Sequence, residues 1–189
     1  MSMHASEKPQ SLTLTTPDGP LSIIGYDGFV LASGWTEDIA ALASLVHKEF
    51  ALDAGGRGID HVGLDSAHAA LRDASAAVSA YYAGDVDAIR QIPVKQRSGP
   101  FRMRAWDVLR EVQPGETLTY TEYAIRCGNE KAARAAASAC AMNAAALFVP
   151  CHRIVRSDGT LGGFRYGLTI KESLLMRESR VVSNEDLAY

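Results

Sequence analysis

TYTEYAIRCGNEKAARAAASACAMNAAALFVPCHRIV, residues 119–155, holds two signals that set the architecture of this chain and point to its chemistry. The first is helical. Thr119-Tyr120-Thr121-Glu122 has the Thr-x-x-Glu form of a capping box and predicts a short helix running to Arg126. Gly128-Asn129 ends it, and Ala132 to Met142 predicts a second helix made almost wholly of alanine, with Arg134 near its start. Helix, tight glycine turn, helix is the helix-turn-helix pattern. Small side chains such as Ala133 and Ala135 let another backbone approach closely, while Arg134 projects from the end where the helix dipole favours phosphate. An ordinary buried alanine-rich helix with one snorkelling arginine fits this segment equally well.

The second signal is Val149-Pro150-Cys151-His152-Arg153-Ile154-Val155, a thiol followed directly by an imidazole and a guanidinium. A thiol is a weak nucleophile at neutral pH until a neighbour lowers its pKa, and an imidazole and a cation are neighbours of that kind. Ala146 to Val149 reads as strand-like, and Pro150 ends it in a rigid bend that presents Cys151 on a corner. A buried cysteine acting as a small hydrophobe is the competing reading.

Downstream, Thr169-Ile170-Lys171-Glu172 has the capping-box form again, and the helix after it carries Ile170, Leu174 and Leu175 on its apolar face. Glu178 lies one turn beyond Leu174 on that face, whereas Glu172 points away. A carboxylate there needs a specific polar partner, and His152 is the natural one. Asn143, inside an apolar run, needs partners for the same reason. Cys151, His152, Glu178 and Asn143 together are the inventory of an activated cysteine. Adjacent side chains on a strand project to opposite faces, so a bridging water is the expected proton path between Cys151 and His152.

The rest of the chain frames this region. Its 189 residues, 47% hydrophobic, suffice for a packed core. The polar Met1 to Gln10 has no secretory pattern, and the longest weakly polar run, Ala132 to Cys151, is interrupted by Arg134, Ser138 and Asn143. A cytoplasmic protein without a membrane partner is expected. Cys127, Cys140 and Cys151 are odd in number and lack metal-ligand spacing, so neither disulfides nor a metal are expected, and no cofactor. Residues 1–100 carry 7 Lys and Arg against 12 Asp and Glu, while 101–178 carry 11 against 8, so the second half is basic on a chain of net charge -3. That asymmetry points to an anionic partner, nucleic acid first. Leu12 to Thr16, Leu21 to Tyr26 and Phe29 to Trp35 predict a small antiparallel sheet with Asp27-Gly28 at a hairpin. Helices are predicted over Glu37 to Leu52, broken by Gly55-Gly56-Arg57-Gly58, and over Ser66 to Tyr82. His47, His61 and His68 are scattered and read as surface or helix-face residues. Residues 1–93 form a scaffold domain, 94–100 a linker, and 101–189 the domain with the chemistry, opened by a helix with Phe101, Ala105, Leu109 and Val112 on one face.

From about Gly115 to Glu178 the chain resembles the O6-alkylguanine-DNA alkyltransferases, on Pro150-Cys151-His152-Arg153 above all. Ser138-Ala139-Cys140-Ala141 and Gly163-Phe164-Arg165-Tyr166-Gly167 look closest to the bacterial adaptive-response branch. The resemblance implies an α+β chain: an N-terminal ribonuclease-H-like α/β domain, then a mostly helical domain with a winged helix-turn-helix. It implies that Cys151 accepts the alkyl group, that His152 deprotonates it through water, that Glu178 orients the imidazole, and that Asn143 braces the turn. Tyr120 then binds the base ring and donates a proton, and Arg134, flanked by Ala133 and Ala135 on the recognition helix, fills the stack left by a flipped nucleotide. Backbone carbonyls of Cys151 and Ile154 read the guanine amine, the amide of Arg165 bonds O6, and Phe164 forms an apolar lid. The implied partner is double-stranded DNA carrying O6-alkylguanine, held through the minor groove by a monomer. Phe164 stands where many relatives have tyrosine, and Cys140 and Ala146 where some have methionine and proline.

Three other readings compete. An alkyltransferase-like lesion sensor binds without transfer, but such proteins have tryptophan at the position of Cys151. A cysteine hydrolase would turn over repeatedly. A pure helix-turn-helix regulator leaves the polar set around Glu178 without a purpose.

Overall fold

A computed structural model describes residues 8–50 and 57–186. The N-terminal half is built on a four-stranded sheet: β1 (Gln10–Thr16), β2 (Gly19–Tyr26), β3 (Phe29–Gly34) and β4 (Asp60–His61), in the order β3-β2-β1-β4. Asp27 and Gly28 both take positive φ, 51° and 80°, the conformation that matches a two-residue hairpin to the twist of its strands. The sheet is mixed rather than wholly antiparallel, because β4 pairs in parallel with β1. Two residues give no periodicity, so this strand is invisible to pattern reading.

The helix predicted over 37–52 is shorter: α1 covers Ile39–Ala43, and a single 3₁₀ turn follows at Lys48–Phe50. The Ser44 hydroxyl donates to the Ala41 carbonyl and His47 Nδ1 accepts from the Glu49 amide, local bonds that compete with continuing the helix. Gly55 and Gly56 lie outside the described residues. The second helix, α2 (Ala69–Ala83), lays Leu71, Ala74, Val78 and Tyr81 against the sheet and ends at Gly84.

The C-terminal half is helical: α3 (Pro100–Glu111), α4 (Tyr120–Arg126), α5 (Ala133–Ala141) and α6 (Leu168–Asp186), with a short parallel pair β5 (Leu118–Thr119) and β6 (Ile154–Val155). Pro100 starts α3 where no amide is needed. The Thr119 hydroxyl accepts from the Glu122 amide, and the Glu122 carboxylate accepts from the Thr119 amide, so the predicted capping box is complete. At α6 the equivalent reading fails. The helix already begins at Leu168, which puts Thr169 inside the first turn.

The two halves share one apolar core, running from Leu12, Leu71 and Val78 through Leu109, Tyr123 and Phe148 to Ile154 and Leu174. They are also joined at the edge of β3. The amide of Val30 donates to Pro93 and its carbonyl accepts from Lys95, so residues 93–95 pair with the strand. Residues 144–146 cover the edge further along: Ser33 donates its amide to Ala144 and its hydroxyl to Ala146, and accepts from the Ala146 amide. An exposed sheet edge is thereby closed. Among the described residues no helix is long and apolar enough to cross a membrane.

Candidate active site

Residues 146–149 form a turn, not the predicted strand, and within 144–149 the bridge to β3 is made by Ala145 alone. Leu147 takes φ of 74°, a costly value for a branched residue, and the Val149 amide folds back onto the Ala145 carbonyl. Asn143 braces this turn. Its Nδ2 donates to the Val149 carbonyl at 2.8 Å, and its Oδ1 accepts from the Ala145 amide at 3.1 Å and from Gln96 Nε2 at 3.0 Å. Cys151 then opens a 3₁₀ turn over Cys151–Arg153, which replaces the strand geometry used to separate the thiol from the imidazole.

Glu178 is fully buried on α6 and collects four hydrogen bonds. Oε1 accepts from His152 Nε2 at 2.8 Å, from Arg153 Nη2 at 3.0 Å and from the Tyr81 hydroxyl at 3.0 Å, while Oε2 accepts from Arg153 Nε at 3.0 Å. Arg153 Nη1 reaches the Val112 carbonyl at 2.5 Å. Burial pushes the Glu178 carboxyl up, but the His152 ring and the Arg153 guanidinium outweigh it and hold the carboxyl well below the usual range. The same burial lowers the pKa of His152 against the pull of Glu178, so the ring is neutral at neutral pH. An ionised carboxylate only accepts, so Nε2 carries the proton and Nδ1 is the bare, basic nitrogen. Nδ1 is buried and has no hydrogen-bond partner among the described residues.

Cys151 lines a cavity of about 310 Å³ together with Tyr120, Cys140, Phe164, Arg165 and Tyr166. Burial pushes its thiol up; the Asn143 amide and the charge of Lys171 act against this. The resting thiol is therefore protonated, and the thiolate must be made by proton transfer. Lys171 is completely buried. Its Nζ donates to the Ile154 carbonyl at 2.6 Å and the Gly163 carbonyl at 3.3 Å, with no carboxylate partner among the described residues. Burial lowers its pKa, and the Cys151 and Cys140 thiols raise it. Tyr120 is half-buried, with its hydroxyl close to Gly162, and burial raises its pKa, so it keeps its proton. Ile154 is buried on β6, the Arg165 side chain is exposed and donates to the Ala141 carbonyl, and Phe164 is partly buried. On α5, Arg134 and Ala135 are exposed, while Ala133 is partly buried and packs against the same core as Ala136 and Ala139.

The profile described as 6-O-methylguanine DNA methyltransferase, DNA binding domain, matches residues 100–180. The bifunctional transcriptional activator/DNA repair enzyme Ada of Escherichia coli is 47% identical over 88 residues, which are 47% of this chain and 25% of that protein. A methylated-DNA–protein-cysteine methyltransferase of Shigella flexneri is 30% identical over 166 residues, 87% of this chain and 92% of the relative. The chain belongs to the 6-O-methylguanine DNA methyltransferase family. A crystal structure of a member of that family, Mycobacterium tuberculosis OGT in complex with DNA, superposes with a TM-score of 0.73 at 26% identity, covering 91% of this chain and 94% of that one. The α+β fold, with an N-terminal mixed sheet and a helical DNA-binding domain, is the fold of this family. The matched part of the chain spans a quarter of the Ada protein and about half of the methyltransferases of Haemophilus influenzae and Kluyveromyces lactis.

Within this family member, the expected partners of Glu178 and Asn143 are present, but three contributors went unseen in the sequence. Arg153 is one: as the cation beside the thiol it was expected to act on Cys151, yet its guanidinium is bound to Glu178. Tyr81 is another, reaching Glu178 from the N-terminal half. The third is Lys171, which had a usable signal. Lys171, Leu174 and Glu178 follow at intervals of three and four, so the spacing that buries Glu178 also buries Lys171.

Proposed function

We propose that this protein removes the alkyl group from O6 of guanine in double-stranded DNA by transferring it to Cys151. The observation that carries the reading is a neutral, buried His152, fixed through Nε2 by ionised Glu178, next in the chain to a thiol that opens on a cavity. Fixing Nε2 leaves Nδ1 to take the thiol proton, through one bridging water. The Cys151 sulfur then forms its bond to the alkyl carbon as the bond from that carbon to O6 breaks. Tyr120 donates a proton to the leaving guanine, and the proton on His152 returns to Tyr120 through solvent. Atoms and charge balance, and the product is a thioether. No side chain around it offers a route to hydrolysis, so each molecule acts once.

The target base must leave the duplex to enter the cavity. Arg134, exposed on α5, enters the minor groove and fills the stack, with the small side chains of Ala133 and Ala135 beside it allowing close approach. Carbonyls of Cys151 and Ile154 read the guanine amine, the Arg165 amide bonds O6, and Phe164 covers the alkyl group. The Mycobacterium tuberculosis relative in complex with DNA supports this partner. We place the protein in the cytoplasm, where thiols stay reduced, and take it to act as a monomer. With alkylated duplex in excess, restored guanine should plateau at one per protein molecule. Sustained turnover would instead assign the site to a hydrolase.

A further inference from the structure

Phe164 and Tyr166 form a wall of the cavity, and these rings rest on the N-terminal half. Trp35, directly after β3, packs against both: its centroid lies 6.0 Å from Phe164 and 5.7 Å from Tyr166, and those two are 5.8 Å apart. Trp35 is itself held. Its indole nitrogen donates to the Tyr82 hydroxyl at 3.2 Å, and that hydroxyl donates to Asp18 at 2.8 Å. The Tyr166 hydroxyl reaches the Ser33 carbonyl at 3.4 Å and lies directly on Gly34. A Cβ at residue 34 would stand 1.9 Å from that oxygen and 2.1 Å from the ring carbon bearing it. Gly34 is the only residue type that leaves the ring where it is.

We infer that Gly34 and Trp35 of the N-terminal half are specificity-determining residues for the size of the O6 substituent, acting by setting where Tyr166 and Phe164 stand. A methyl group needs little of this wall. A substituent the size of a benzyl group reaches it, so wall position discriminates between the two. This rests on the alkyl-transfer reading above and adds to it a substrate-selecting role for the N-terminal half, which otherwise reaches the transfer machinery through the Tyr81 bond to Glu178. Any side chain at residue 34 displaces the Tyr166 ring from β3, and a ring displaced toward Cys151 narrows the cavity that both residues line.

The test is a pair of duplexes, one with O6-methylguanine and one with O6-benzylguanine, reacted under single-turnover conditions with wild type, Gly34→Ala, Tyr166→Ala and the double variant. The ratio of benzyl to methyl rate constants is the readout, because a partly misfolded preparation lowers both rates and leaves the ratio alone. Gly34→Ala should lower that ratio by at least roughly tenfold, the scale at which apolar pockets discriminate size. In the Tyr166→Ala background the same substitution should leave it unchanged. A ratio untouched by Gly34→Ala, or shifted equally with and without Tyr166, overturns the inference while wild-type methyl transfer still stands. Wild type that takes no alkyl group on Cys151 overturns both the inference and the reading beneath it.

Discussion

Glu178→Gln keeps the shape of the side chain and removes the charge that four donors share. Arg153 would stay fully buried, with its guanidinium left against the Val112 carbonyl and one amide oxygen. The Gln amide group must face either Arg153 or His152, donor against donor. Breaking one side of a buried ion pair costs about 3–5 kcal/mol, because the surviving charge is left uncompensated. Against a typical total of about 5–15 kcal/mol, that is a large share of the stability. Urea unfolding followed by the fluorescence of Trp35 and Trp106 measures it, and with a slope of about 2–3 kcal/mol/M the midpoint should fall by about 1–2 M. Adding Arg153→Met should recover part of the loss, since the orphaned charge goes with it. A loss below about 1 kcal/mol, the worth of an exposed pair, would refute the account of Glu178 as the hub of a buried network.

The same carboxylate fixes the direction of acid sensitivity. Its folded pKa is depressed, so its stabilising contribution is complete above the ordinary carboxylate range and is lost as pH falls through and below it; wild type should therefore lose stability in acid more steeply than Glu178→Gln. Lys171→Met should slow alkylation of Cys151 by iodoacetamide and move its pH profile upward, because a buried cation that favours the thiolate is gone; an unmoved profile would limit Lys171 to holding the Ile154 and Gly163 carbonyls. Arg134→Ala should weaken repair in duplex more than reaction with the free alkylated base, and an equal loss on both substrates would count against a role in filling the stack.

What was legible in the sequence was local. Asp27-Gly28 and the Thr119–Glu122 capping box each act through a few neighbouring residues, and each forms as read. The Glu178–His152 contact was legible for another reason: a charge on an apolar helical stripe demands a partner, and few candidates existed. The misreadings came from longer range or from competing local bonds. Ala146–Val149 looks like a strand, but Asn143 holds both ends of the segment and turns it. Strand β4 exists only through its pairing with β1, 50 residues away at Ser11 and His61. Arg153 was assigned to the thiol because it is close in sequence, whereas its direction is set by α6. Gly34 shows nothing of its part in the sequence, because the Tyr166 ring that lies on it arrives from the other half of the chain.

The most direct test of alkyl transfer is the intact mass of the protein after mixing with a duplex that carries one O6-methylguanine, with Cys151→Ser in parallel. The account predicts the mass of one added methyl group on wild type, located to Cys151, and none on the variant. An unmodified wild-type protein that still binds the lesion would contradict it and mark the chain as a lesion sensor.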